Sequence, residues 1–127
     1  MDDDDLTGAI IGAAMKVHSI VGPGLLESAY EPCLLYELHK QGLKAESQVP
    51  LPVTYGTVTI DAGYRLDLLV EGRVIVELKA AEKLMPIHQA QLLSYLRLGG
   101  KRVGLLINFH VVHLRNGIKR IRNDPTG

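Results

Sequence analysis

The stretch Asp67–Lys79, with the sequence DLLVEGRVIVELK, decides the fold of this 127-residue chain. It contains two aliphatic runs separated by Glu71-Gly72, and the second run has the β-branched residues that strand interiors favour. The stretch therefore predicts a β-hairpin. Three charged residues also lie in it: Asp67, Glu77 and Lys79. A charge inside a strand is costly to bury unless it meets a partner or a metal ion, so these three residues need an explanation.

The length of the turn decides which side chains share a face, because side chains alternate across a strand. A two-residue turn at Glu71-Gly72 would place the carboxylates of Asp67 and Glu77 on opposite faces. A three-residue loop through Arg73 leaves one face wholly apolar and sets Asp67 opposite Glu77, with Lys79 one step along. The pairs that it predicts are Val70 with Val74, Leu68 with Val76, and Leu66 with Leu78. The pattern favours this loop, in which Gly72 supplies a positive φ.

Two carboxylates that face each other across a strand pair repel, by up to about 1 kcal/mol when exposed and by more when desolvated. Such a pair requires a cation. Either Lys79 neutralises it, or a divalent metal ion does so with Lys79 beside the metal.

Three segments of the chain together resemble a known family. Asp67, nine intervening residues and Glu77-x-Lys79 resemble the core motif of the PD-(D/E)XK nuclease superfamily. Upstream, Gly24–Tyr30 (GLLESAY) resembles the signature of its GxxExxY branch. Downstream, Gln91–Tyr95 (QLLSY) resembles the QxxxY element of its recombination-exonuclease branch. The resemblance spans roughly residues 5–121.

The resemblance implies a fold and an activity. The fold is an α/β single-domain, restriction-endonuclease-like core, with the order α-β-β-β-α-β and a mixed sheet flanked by helices. The activity is metal-dependent hydrolysis of phosphodiesters, with DNA as the expected substrate and Mg²⁺ or Mn²⁺ as the cofactor. The implied metal ligands are Asp67, Glu77, the Leu78 carbonyl and Glu27. The implied catalytic residues are Asp67, Glu77, Lys79, Glu27, Gln91 and Tyr95. Lys79 would orient or deprotonate the attacking water or neutralise the phosphate, and Gln91 and Tyr95 would position the substrate or the water.

Hydrophobic periodicity and punctuation predict the remaining elements. The predicted helices cover residues 5–20, 25–41 and 86–98. An edge strand is predicted over residues 49–55, because Pro50 and Pro52 cannot donate to a ladder. The apolar run Val103–Ile107 predicts a strand buried on both faces. The dipeptide Asn116-Gly117 predicts a final hairpin between residues 111–115 and 118–121.

The second helix carries two open questions. With Gly24 as N-cap, Glu27 would lie at N3, where a carboxylate stabilises a helix end; the resemblance instead implies a place in the metal site. For Tyr30, packing in the hydrophobic core and a role at the site are equally good explanations. Pro32 predicts a kink that would change the direction of Glu27.

Size and composition indicate one domain over residues 1–127, with an acidic N-terminal end (1–5) and a short C-terminal tail (122–127). Asp4 or Asp5 would cap the first helix. Hydrophobic residues make up 46% of the chain, and it has one cysteine, Cys33. We therefore expect a compact protein of a reducing cytoplasm, with no membrane segment.

The 14 basic and 14 acidic residues cancel, so the chain lacks an overall positive charge for nucleic acid. Basic residues dominate from position 97 onward, which favours either a phosphate-contacting face or a solvated surface. The alternative function is a non-catalytic nucleic-acid-binding or assembly module, in which Asp67, Glu77 and Lys79 form an ion-pair cluster. A homodimer that presents two sites is a further hypothesis.

Overall fold

The computed structural model describes residues 1–124. Its helices are α1 (Asp3–Val21), α2 (Glu27–Lys40) and α3 (Pro86–Gly99), with a short 3₁₀ helix at Leu114–Gly117. Its strands are β1 (Ala45–Pro50), β2 (Val53–Tyr55), β3 (Val58–Ile60), β4 (Arg65–Val70), β5 (Val74–Lys79), β6 (Val103–Asn108) and β7 (Ile118–Arg122). The predicted order α-β-β-β-α-β corresponds to α2, β1, β4, β5, α3 and β6. The predicted fold class is therefore confirmed.

Five of the strands form one mixed sheet, in the order β1-β4-β5-β6-β7. All neighbours are antiparallel except β5 and β6, which run parallel. Helix α3 provides the crossover that a parallel pair needs. The all-buried pattern of β6 agrees with the prediction from its apolar run. The predicted tail, 122–127, begins at the last residue of β7, and its residues 125–127 lie outside the described part of the chain.

The sheet is covered on both faces, which creates two hydrophobic cores. The larger core lies under α1 and α2 and includes Leu68, Val76 and Leu105. The smaller core lies under α3 and includes Ile75, Leu92 and Leu106. Alternate residues of β5 thus enter opposite cores, so polar side chains on the α3 face lie in an enclosed environment.

The predicted final hairpin is wrong. Residues 114–117 form the 3₁₀ helix instead, and β7 pairs directly with β6, with Ile118 opposite Ile107. Gly117 is required by close approach rather than by a turn, because a Cβ there would lie 2.2 Å from the carbonyl oxygen of Asn108. An Asn-Gly pair is a hairpin signal only where two strands flank it, and the segment before Asn116 is not a strand.

Two further boundaries differ from the prediction. The edge strand of the main sheet is β1, which begins at Ala45, while β2 and β3 form a separate two-stranded ladder. The cap of α1 is Asp2, not Asp4 or Asp5: its carboxylate accepts from the Asp5 backbone N–H at 2.8 Å, in a reciprocal capping box. Cys33 is half-buried against the larger core. No helix within residues 1–124 is long and apolar enough to cross a membrane.

Candidate active site

The β4–β5 hairpin has the three-residue loop that its pattern predicts. Val70 pairs with Val74 and Leu68 with Val76. Gly72 has φ +63°, and Glu71 before it also has a positive φ of +55°. This register brings Asp67 and Glu77 together, as predicted.

The ladder between β4 and β5 ends at Leu68 and Val76, so the predicted Leu66–Leu78 pair does not form. Beyond this point, side-chain carboxylates accept hydrogen bonds from main-chain N–H groups of the two strands. The Asp67 carboxylate accepts from the Leu78 N–H at 2.8 Å, and the Glu77 carboxylate accepts from the Asp67 N–H at 3.3 Å. These bonds satisfy main-chain donors that a continuing ladder would otherwise use.

Strand β4 also loses its regular alternation here. Leu66 packs in the smaller core whereas Leu68 packs in the larger one, although residues two positions apart on a regular strand share a face. The prediction that both share one face is therefore wrong. The Asp67 carboxylate accepts from the main chain of β5 at Leu78 and is also a hydrogen-bond partner of the Glu77 side chain.

Glu77 is the most perturbed acid of the site. Its side chain is 5% exposed. Burial raises the pKa of Glu77 to about 9. The negative charge of Asp67 acts in the same direction, and so does a hydrogen bond that the protonated Glu77 side chain donates to the Asp67 carboxylate. The Asp67 N–H and the charge of Lys79 oppose the shift. A carboxyl group in this environment retains its proton at neutral pH unless a cation joins it.

Lys79 lies near this pair but does not form an ion pair with it. Within residues 1–124, no carboxylate oxygen is within 4.0 Å of its ammonium nitrogen. The main chain of Lys79 is held firmly, since its carbonyl accepts from the Phe109 N–H at 3.0 Å. The protein therefore leaves the carboxyl pair without a contacting positive charge, which disfavours the ion-pair cluster.

Glu27 is brought to the same end of the sheet by the start of α2. It is the first residue of the helix, after Leu26 as the cap, so the predicted N3 position after a Gly24 cap is wrong. Its carboxylate accepts from the Ala80 N–H at 3.3 Å, just beyond β5. A cleft of about 220 Å³ is lined by Glu27, Ser28, Glu31, Gln48, Asp67 and Leu78.

Tyr30 fixes the loop that precedes Glu27. Its ring is fully buried and stacks on Phe109, with ring centroids 4.3 Å apart. Its hydroxyl donates to the Gly22 carbonyl at 2.7 Å and accepts from the Leu25 N–H at 3.1 Å. Core packing is therefore the observed role of Tyr30. Pro32 lies inside α2, which runs unbroken from Glu27 to Lys40. The kink predicted at Pro32 therefore does not move Glu27 away from the cleft.

Gln91 and Tyr95 approach the pair from α3. Tyr95 is 8% exposed, and its ring lies 5.8 Å from that of Tyr64. Burial raises the pKa of Tyr95, and the charge of Glu77 adds to this, while a hydrogen bond with Gln91 opposes it. Tyr95 is therefore a neighbour of Glu77. Gln91 is exposed and is not among the residues that line the cleft.

Sequence reasoning missed Glu31, Gln48 and Asn108. Burial raises the pKa of Glu31; its hydrogen bond from Gln48 opposes that shift, and the charges of Asp67 and Glu27 add to it. Gln48 has a φ of +53°, which no sequence signal indicates. Asn108 is buried and bonds the N–H and carbonyl of Ala81 at 3.0 and 2.9 Å. A polar residue directly after the apolar run of β6 was the available signal for Asn108.

The donors at this site fit a hard divalent cation. Mg²⁺ and Mn²⁺ take oxygen ligands, keep several waters and bind through few carboxylates. Asp67 and Glu77 each use one oxygen on a main-chain N–H and retain the other. Within residues 1–124, no three His, Cys, Asp or Glu side chains lie close enough to hold a metal ion. Glu27 thus borders the cleft without completing a three-carboxylate group.

A comparison with protein families gives a match over most of the chain. The model of a family described as the PD-(D/E)XK nuclease superfamily matches residues 4–121. The match includes the β4–β5 hairpin, the start of α2 and the whole of α3. Comparisons with curated proteins and with solved structures found no significant match.

Proposed function

Because the chain belongs to the PD-(D/E)XK nuclease superfamily, we propose that it is a Mg²⁺- or Mn²⁺-dependent nuclease acting on DNA. Membership supports nuclease activity in general, and the metal and the DNA substrate are our own finer hypothesis. The observation that carries the proposal is the Asp67–Glu77 pair, in which two adjoining carboxyl groups have no contacting cation among residues 1–124.

We assign the metal ligands to Asp67, Glu77, the carbonyl of Leu78 and Glu27. When bound, the ion would supply a water of lowered pKa and offset the charge that develops on the phosphate. The supporting observation is that each of the two central carboxyl groups accepts a hydrogen bond from a main-chain N–H. Their separation therefore does not depend on a ligand that draws them together.

The other residues have tasks that follow from their surroundings. Lys79 lies close enough to lower the pKa of Glu77 without bonding it, so its ammonium group remains available to the scissile phosphate or to the attacking water. Tyr95 keeps its proton because of burial and of the neighbouring carboxylate. It would therefore donate a hydrogen bond to substrate, with Gln91 orienting its hydroxyl.

We also place the chain in the GxxExxY branch, on Gly24, Glu27 and Tyr30. These residues act as one structural unit, because the Tyr30 hydroxyl bonds both sides of the Gly22–Leu25 loop that leads into Glu27. Gly24 has φ +97°, which glycine adopts without strain. The motif would therefore serve to deliver Glu27 to the cleft.

The alternative, a non-catalytic module on the same fold, has Asp67, Glu77 and Lys79 as an ion-pair cluster. The missing contact between Lys79 and either carboxylate, within the described residues, weighs against it.

The test combines metal binding with cleavage. Calorimetric titration with Mn²⁺ should give binding by the wild type and loss of binding by Asp67→Asn. Asp124→Asn, an exposed acid outside the site, should match the wild type. Supercoiled plasmid should be nicked only with Mg²⁺ or Mn²⁺, and not by Asp67→Asn. An RNA of the same length tests the choice of DNA. Equal nicking by Asp67→Asn and the wild type would overturn the proposal.

A further inference from the structure

A second polar pocket lies at the other end of the sheet from the carboxyl pair. It has a volume of about 350 Å³ and is lined by Asp3, Gly72, Arg73, Gly100, Lys101 and Arg102. Arg73 immediately precedes β5, whereas Lys79 ends it. Glu77 of the carboxyl pair lies four residues after Arg73, which at about 3.3 Å per residue separates the two places by roughly 13 Å. The pocket is therefore distinct from the candidate active site.

The lining of this pocket is strongly basic. Arg73, Lys101 and Arg102 supply three positive charges and Asp3 one negative charge, so two positive charges are in excess. The chain as a whole has no net charge, which makes this a local concentration of charge. Elsewhere in the basic C-terminal part, Arg120 is paired with Asp4.

Asp3 already shows how an oxyanion fits between the arginines. One of its oxygens lies 2.7 Å from Arg73 Nη2, and the other lies 3.3 Å from Arg102 Nη2. Arg73 also donates through Nη1 to the Met1 carbonyl at 2.8 Å. The two guanidinium groups lower the pKa of Asp3. A single carboxylate thus bridges two guanidinium groups, and Lys101 is left without an acid within 4.0 Å in the described residues.

The main chain of the pocket is preorganised. The Asn123 N–H donates to the Arg102 carbonyl at 2.9 Å, and its side chain donates to the Lys101 carbonyl at 3.1 Å. The Lys101 N–H is bonded to the Leu96 carbonyl at 2.9 Å, at the end of α3. The basic side chains therefore project from a fixed frame, which reduces the ordering cost of binding.

We propose that this pocket binds a phosphate group, in competition with the carboxylate of Asp3. A phosphate carries more charge than a carboxylate and has a third oxygen for Lys101, so it matches the two positive charges in excess. Arginine forks favour phosphate oxygens in the same way that they favour carboxylates. The phosphate comes either from a free ion or from a nucleic-acid strand, and both present the same group.

The first experiment titrates inorganic phosphate into the metal-free protein with its native N-terminus, under chelator, and measures binding by calorimetry. Lys101→Gln and Arg102→Gln should each bind about fivefold more weakly. This is the factor that corresponds to the interaction of two unit charges about 4 Å apart in water. Lys40→Gln makes the same charge change at an exposed residue outside the pocket and should stay within about twofold of the wild type.

The variant Asp3→Asn should change the phosphate affinity in the opposite direction. Removing the competing carboxylate should tighten phosphate binding by about fivefold, whereas a purely structural ion-pair network predicts no gain. Equal affinities of Lys101→Gln and Lys40→Gln, or no gain in Asp3→Asn, would overturn the proposal. If Asp3→Asn fails to fold, the Lys101 and Arg102 variants still decide.

The second experiment separates the two sources of phosphate. Fluorescence anisotropy follows binding of a labelled single-stranded oligonucleotide, again under chelator, to Arg102→Gln and to the wild type. A selective loss in Arg102→Gln supports a nucleic-acid phosphate, and an unchanged affinity with weakened inorganic phosphate binding supports a free ion. Glu77→Gln should leave phosphate binding at this pocket unchanged. A lack of phosphate binding would therefore contradict only the pocket proposal, and a lack of metal-dependent cleavage would contradict only the nuclease proposal.

Discussion

Replacing Glu77 by Gln should change how the stability of the metal-free protein depends on pH. The pKa of Glu77 is raised from its ordinary value of 4.5 to about 9 by burial and by the neighbouring Asp67. The folded state therefore keeps a proton that the unfolded chain releases above pH 4.5. Each pH unit between these two values lowers the free energy of unfolding by about 1.4 kcal/mol.

The sign follows from the direction of this shift. The stabilising contribution of protonated Glu77 is fully present below pH 4.5, declines through neutral pH and is lost above about pH 9. Between pH 4.5 and 7 the wild type should lose about 3 kcal/mol from this group alone. Glu77→Gln retains a neutral side chain of the same shape and should not show this decline. Its free energy of unfolding at pH 7 should therefore equal or exceed that of the wild type.

The assay is urea unfolding at pH 5, 6, 7 and 8 under chelator, followed by circular dichroism. Glu82→Gln, an exposed acid beyond β5, is the matched control and should follow the wild type. Added Mn²⁺ at pH 7 should stabilise the wild type, because the ion replaces the proton, and should not stabilise Glu77→Gln. Parallel pH curves for the wild type and Glu77→Gln would refute the reasoning. A Glu77→Gln protein that is less stable than the wild type under chelator would instead support an ion-pair cluster.

Three further predictions concern residues around the site. Tyr30→Phe removes the hydroxyl that bonds the Gly22 carbonyl and the Leu25 N–H, so it should lose about 1–2 kcal/mol of unfolding free energy in a denaturant titration; Tyr36→Phe, at an exposed position, should be neutral. Asn108→Ala leaves the Ala81 main-chain groups without their buried partner and should lose about 2–3 kcal/mol, measured by the same titration. Glu27→Gln keeps an oxygen acceptor for the Ala80 N–H, so its melting temperature should hold while calorimetry detects weaker Mn²⁺ binding.

The sequence predicts the central hairpin well because two independent constraints agree there. The apolar pattern and the positive φ at Gly72 both select a three-residue loop, and the Val70–Val74 pair forms accordingly. The three helices are predicted for the same reason, since their periodicity and their flanking glycines and prolines coincide. The Asn116-Gly117 hairpin fails because only one local signal supports it. The tertiary contact of Gly117 with Asn108 decides that segment instead.

The details of the candidate site are harder to predict, because they arise where regular structure ends. Alternation along β4 predicts the directions of Leu68 and Val70 but not that of Leu66, since the ladder stops at Leu68. Contacts of Glu31 and Gln48 depend on the approach of α2 to β1, which no local pattern encodes. The positive φ of Gln48 is likewise set by its tertiary surroundings.

The same break in the ladder explains how acidic side chains are held together in the metal-free protein. Asp67, Glu77 and Glu27 each accept one main-chain N–H, from Leu78, Asp67 and Ala80 respectively. Each of these bonds holds one oxygen of its side chain against the main chain. The N–H groups that bond Asp67 and Glu27 belong to Leu78 and Ala80, whereas the N–H that bonds Glu77 belongs to Asp67. Removing the side chain of Asp67 or Glu77 therefore leaves the hydrogen bond of Glu27 in place. Asp67→Asn keeps that backbone N–H, so it should preserve the geometry of Glu77 while it removes the charge, and loss of metal binding in this variant would report on chemistry rather than on folding.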